Sequence, residues 1–141
     1  MRTPDNGSPA WVTADVGFAA NGGGTGIAYA DVAGRGPTRL LRVPFRVAAR
    51  GAQDRVVGYA ALTAIARALR RWHVERVRFA IDDPALVADL GSHREVPGSL
   101  VMPYVHLRCA LNQLAEVDIV EATENDLTQR ARAEVAMNVA A

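Results

Sequence analysis

Asp15 lies in the stretch Trp11-Val12-Thr13-Ala14-Asp15-Val16-Gly17-Phe18, where its neighbours are mostly apolar. Aspartate is disfavoured in strands, and a carboxylate among apolar groups is costly unless something compensates it. An ion pair with an arginine would do so, and so would a bound cation. The turn Asn21-Gly22-Gly23-Gly24 that follows favours a binding role, because open glycine backbone beside a carboxylate suits a metal and a phosphate. The second point of chemistry is Asp82-Asp83-Pro84. Asp83 is placed to cap a helix, with Pro84 at the first helical position. A capping carboxylate at a strand's end can also face a cleft, so the two roles are compatible.

For these residues to act together, the surrounding elements must bring them to one place. Residues 11–18 alternate with period two, which sets Trp11, Thr13, Asp15 and Gly17 on one side of a strand. Residues 27–31 read as the returning strand of a hairpin. A turn at 34–37 then leads to a third strand over 39–47, where Pro44 suits a sheet edge because it has no N–H to donate.

The period then lengthens. Over 54–72 the residues Val57, Ala61, Ala64, Ala68 and Trp72 are spaced for one helix face, and Arg67, Arg70 and Arg71 gather near the end favourable to cations. A strand at 77–81, helices at 84–90 and 100–115, a strand at 117–120 and a last helix at 124–137 follow, the last opened by Thr123 and Asp126 in capping-box spacing. The order β-β-β-α-β-α-α-β-α predicts an α/β fold with a five-stranded mixed sheet. A three-strand antiparallel meander would be followed by alternating helices and strands, with helices on both faces. Residues 1–10 read as a flexible tail and 11–141 as one domain.

Composition narrows the classes. Of 141 residues half are apolar and 22% charged, which supports one packed core and argues against a disordered chain. The net charge of +1 gives no overall field toward nucleic acid or membrane. All the basic residues are Arg and none is Lys, a pattern that coding bias explains better than phosphate recognition. Cys109 is the lone cysteine, so no intrachain disulfide can form, and its apolar helical setting predicts a core position. The N-terminus lacks a signal-peptide pattern and no apolar run approaches about 20 residues, so a cytoplasmic protein is expected. Arg42 and Arg46 share a face of the third strand, where they either guard an open edge or grip phosphates. His73 ends a helix, where a cation is favoured, and His106 lies within a helix as a core or surface residue.

Taken in order, these motifs and elements resemble the ribonuclease H family, in particular its compact reverse-transcriptase-like bacterial branch, from Trp11 to Met137. The family's first strand bears a catalytic Asp and is followed by a Gly-rich turn containing Asn, which Asp15 and Asn21 match in spacing, although the turn here is all Gly where the family alternates Gly with Pro. The family's Asp-Ser at the end of the fourth strand is matched by Asp83-Pro84. Glu124-Asn125 matches the family's Glu-Asn, and Gln129 stands where a catalytic Asp follows four residues later, before an Ala-rich helix. The first and fourth strands of that fold are parallel neighbours, so the resemblance implies that Asp15 and Asp83 converge.

The departures bear on activity. The family's Glu in Glu-Tyr-x-Ala-Leu is replaced by Gly58, in Gly58-Tyr59-Ala60-Ala61-Leu62. Family catalysis uses two divalent ions on four carboxylates. With Gly58 and Gln129 in two of those places, at most one weakly held Mg²⁺ or Mn²⁺ is implied, on Asp15 and Asp83 as catalytic and metal residues. Asp54, Asp126 and Glu134 are nearby acids that could substitute, and His93 lies in a loop where the family's mobile His would be sought. Asn21, Gly22, Gly23, Gln129, Arg42 and Arg46 are the implied substrate-binding residues. The leading expectation is a nucleic-acid-binding domain, for RNA/DNA hybrid or structured RNA, with weak or lost hydrolysis. An active metal-dependent ribonuclease and a protein-interaction scaffold are the alternatives.

Overall fold

The computed structural model describes residues 10–34, 36–47, 54–91, 96, 98–123 and 126–140. Trp11–Ala20 (β1), Thr25–Ala33 (β2) and Arg39–Arg46 (β3) form the antiparallel meander. The first turn is built by Asn21, whose Oδ1 accepts from the N–H groups of Gly23 (2.8 Å) and Thr25 (3.2 Å). Helix Asp54–Arg71 (α1) leads to Arg76–Ile81 (β4), which lies parallel to β1. Helix Pro84–Gly91 (α2), a 3₁₀ turn at Gly98–Leu100 and helix Val101–Asn112 (α3) precede Glu116–Glu121 (β5), parallel to β4. Asp126–Ala140 (α4) closes the described chain. The sheet order is β3-β2-β1-β4-β5, the five-stranded mixed sheet expected.

Period-two burial sorts the two faces. Val12, Ala14 and Val16 are buried under α1, and join one core cluster with Leu62, Ile65, Leu69, Phe79 and Leu107. The opposite face carries Trp11, Thr13 and Asp15 exposed, and is covered further along by α4. There Ile27, Tyr29, Ala131 and Val135 form a smaller cluster. Gly17 is the contact that lets α4 lie on β1, because a Cβ there would overlap the backbone of Leu127 and Thr128. Helices therefore cover both faces.

Two sequence expectations need correction. The buried stripe of α1 runs through Tyr59, Leu62, Ile65, Ala66 and Leu69, while Ala64 is only half-buried and Trp72 lies beyond the helix, 36% exposed, against the Arg39 guanidinium. Nearly every side of this Ala-rich helix is apolar, so packing between sheet and α3 chose the face. Cys109 is exposed, because α3 packs through Leu107, Ala110 and Leu111 and turns Cys109 away. The last helix is described over Asp126–Ala140; Glu124 and Asn125, like residues 1–9 and His93, lie outside the described residues.

Candidate functional site

A cleft of about 510 Å³ opens where β1 and β4 end and α1, α2 and α4 begin. Phe18, Ala19 and Ala20 of β1 form one wall, and Asp82, Asp83, Pro84 and Ala85 form a second. Arg55 and Val57 come from the first turn of α1, and Thr128 and Arg132 from α4. Thr128 and Arg132 are four residues apart and so share one helix face.

Both carboxylates at this cleft already have work inside the protein. Asp83 Oδ1 accepts from the N–H groups of Ala85 (3.1 Å) and Leu86 (3.3 Å), which is the N-cap read from the sequence. Asp82 Oδ2 accepts from the Thr128 hydroxyl at 2.9 Å, tying the end of β4 to α4. Arg55 is held from behind by Asp89, a fully buried carboxylate, through Nε (2.9 Å) and a terminal nitrogen (3.0 Å). Tyr59 donates its hydroxyl to the same carboxylate at 2.6 Å. Burial, and then the hydrogen bond to Asp89, push the Tyr59 hydroxyl up to about 12.

The register of the parallel pair sets Asp15 beside Ala80 and Val16 beside Ile81, where β4 ends, and Asp83 follows two residues on. Of the two carboxylates Asp83 lines the cleft and Asp15 does not; the β1 residues that line it are Phe18, Ala19 and Ala20. Asp15 has a different neighbour, Asp31 on β2, directly across the antiparallel pair. Burial raises the Asp15 carboxyl and the Asp31 charge raises it further.

The other expected site residues are dispersed. Asn21 spends its side chain on the turn, with Gly22 and Gly23 exposed beside it, and none of the three lines the cleft. Gln129 is exposed one residue away from the cleft-facing side of α4. Arg42 forms a bidentate pair with Glu134, which also accepts from Tyr29, so Glu134 is committed to the sheet and its carboxyl is lowered by Arg42 first. Arg46 stays exposed on the edge strand. Asp54 is the first residue of α1, and Asp126 is the exposed first residue of α4. Gly58 is buried, and a Cβ there would lie 3.3 Å from Leu86 and 3.4 Å from Phe18. Apolar contacts thus occupy the place where the resemblance implies a glutamate.

Solved structures support the architecture, three of them as follows. The N-terminal RNase H domain of rv2228c from Mycobacterium tuberculosis superposes with TM-score 0.70 at 16% identity, over 92% of this chain and 99% of that one. RNase H1 from Halobacterium salinarum gives 0.70 at 16% identity, over 91% and 98%. LC11-RNase H1, solved in complex with RNA/DNA hybrid, gives 0.69 at 12% identity, over 92% and 99%. The fold is ribonuclease H-like. No family model and no curated protein matches the sequence.

A ribonuclease H-like fold raises the question of divalent metal, and these residues do not fit the four-carboxylate arrangement. The cleft offers Asp82 and Asp83, each already accepting hydrogen bonds, and sets Arg55 and Arg132 beside them. With Arg55 neutralised by Asp89, the two acids face the Arg132 guanidinium and supply far less negative charge than four carboxylates would. Among the described residues no three His, Cys, Asp or Glu side chains cluster as a metal site. A Mg²⁺ or Mn²⁺ shared by Asp15 and Asp83 would have one ligand that lines the cleft, Asp83, and one that does not, Asp15.

Sequence reading missed Phe18, Arg55, Asp89, Thr128 and Arg132. Asp89 carried a signal, since an acid within Ala-Leu-Val-Ala-Asp-Leu contradicts an apolar helix face. Arg55 and Arg132 carried none, being two among sixteen basic residues.

Proposed function

We propose that this chain is a nucleic-acid-binding domain of ribonuclease H-like fold that has lost hydrolysis, acting in the cytoplasm on RNA/DNA hybrid or structured RNA. The observation that carries the reading is the make-up of the cleft, where Asp82 and Asp83 are both spent on internal hydrogen bonds, Arg55 is already paired with Asp89, and the Arg132 guanidinium lines the same space. A guanidinium can meet a phosphate directly, whereas a two-metal site needs an excess of carboxylates. Solved neighbours include one bound to RNA/DNA hybrid, which supports that duplex as the first ligand to try. Recognition would run through backbone and 2′-hydroxyl contacts, with affinity falling as salt rises. Arg132, exposed at the cleft, is better placed for phosphate than Arg42, which is already paired with Glu134.

Fluorescence anisotropy with a labelled hybrid, across salt concentrations, tests binding. Arg132→Glu is expected to weaken it by roughly tenfold, the scale of one charge-assisted contact made and then opposed. No cleavage is expected with Mg²⁺ or Mn²⁺. Cleavage that survives purification and is lost in Asp83→Asn would establish the active enzyme. No binding at low salt would leave the fold as a protein scaffold.

A further inference from the structure

We propose that the groove between β3, α1 and α3 is a docking site for an acidic segment of a partner protein that inserts a large apolar side chain. The groove holds about 490 Å³, within the span of roughly 300–1,000 Å³ that takes a compact ligand or a few anchoring side chains. It shares no lining residue with the cleft at the ends of β1 and β4. Its walls include Val43 and Phe45 of β3 and Val56 and Ala60 of α1, with Met102 and Pro103 from α3. Met102 is 62% exposed, and Val101 and Val105 (40% and 42%) carry the apolar surface outward along α3. Exposed apolar area next to a concave wall marks an interaction surface, and methionine adapts its shape to what it meets.

The rim decides the partner. Among the described residues Arg46, Arg67, Arg71 and His106 line the groove and no Asp or Glu does. Arg67 and Arg71 are one helical turn apart, so they stand on one side of α1. Elsewhere Arg42, Arg55, Arg76 and Arg78 are each paired with a carboxylate. Among the described residues none of the four rim groups makes an ion pair. A chain of net charge +1 thus gathers three arginines that make no ion pair among the described residues around one apolar concavity. Carboxylates on a partner would complement them at the rim, and an apolar side chain would fill the floor. Nucleic acid fits less well. It would satisfy the arginines and leave the aliphatic floor empty, and Phe45, the groove's aromatic ring, is buried rather than presented for stacking.

The test is selection of a random dodecapeptide display library on the intact protein, then anisotropy with the selected peptides. The expected winners combine Asp or Glu with Phe, Leu, Trp or Met. Their binding should weaken at least about tenfold in Arg67→Glu/Arg71→Glu and in Met102→Asp, the scale of a lost anchor or charge pair. Arg132→Glu, in the separate cleft, should leave the peptides bound. All the substituted side chains are exposed, so unchanged far-UV circular dichroism should show that the variants fold. Selection of no peptide tighter than about 100 µM, winners without acids, or equal binding to the variants would overturn the proposal. Displacement of the peptide by RNA/DNA hybrid, equally in wild type and Arg132→Glu, would assign the groove to nucleic acid instead.

Discussion

Asp89→Ala is expected to be among the most damaging single changes short of the central core. Asp89 is 0% exposed and gathers two contacts from Arg55 (2.9 and 3.0 Å) and one from Tyr59 (2.6 Å). Breaking a buried ion pair from one side costs about 3–5 kcal/mol, because the other charge is left without a partner. The Arg55 side chain keeps 26% exposure and can recover some solvation, which sets the loss near the lower end, at about 3 kcal/mol. The Tyr59 hydroxyl cannot reach water, since Tyr59 is fully buried. With a urea slope near 2 kcal/mol per molar, the midpoint should fall by about 1.5 M. Equilibrium urea unfolding followed by circular dichroism reads this directly. The companion variant Asp89→Leu/Arg55→Leu/Tyr59→Phe removes every polar member at once and should be less destabilised than Asp89→Ala. A loss under about 1 kcal/mol for Asp89→Ala, or a triple variant worse than the single, would refute the account of this network.

Alkaline pH offers an independent view of the same network. The Tyr59 hydroxyl titrates higher folded (about 12) than unfolded (10.0), so its contribution is complete below pH 10 and is lost as pH climbs toward 12. Wild-type stability should therefore decline by roughly 2 kcal/mol more than that of Tyr59→Phe across that window, measured by urea midpoints. Gly17→Ala should cost about 1–3 kcal/mol by pushing α4 off β1, visible as a lower thermal midpoint. Gly58→Glu/Gln129→Asp should leave RNA/DNA hybrid uncleaved and lower stability, because the new glutamate starts against Leu86 and Phe18 and Asp15 does not line the cleft. Hydrolysis by that variant above the wild-type level would show that Asp15 reaches the cleft after all.

The element string was legible because it rests on local physics. Period-two burial over Val12, Ala14 and Val16, the Asn21 turn and the Asp83 cap each depend on residues within a few positions, and each formed as the chain order predicts. Parallel neighbours β1 and β4 came out as the resemblance to the ribonuclease H family implied. Which residue of β1 would sit beside Asp83 was not legible. Spacing from Asp15 to Asn21 lies within one hairpin and carries no information about a strand 60-odd residues later. Register came instead from packing: Val12, Ala14 and Val16 on one core with Val77, Phe79 and Ile81, and the bare Gly17 under α4. That register set Phe18, rather than Asp15, at the cleft. Long-range pairs such as Arg55 with Asp89 and Arg42 with Glu134 were likewise decided only in three dimensions, because a charge's partner depends on which elements pack together and nothing near it in the chain specifies which. The sequence determined where carboxylates and guanidiniums occur; helix and strand packing determined that two of each share one cleft, and so what that cleft can hold.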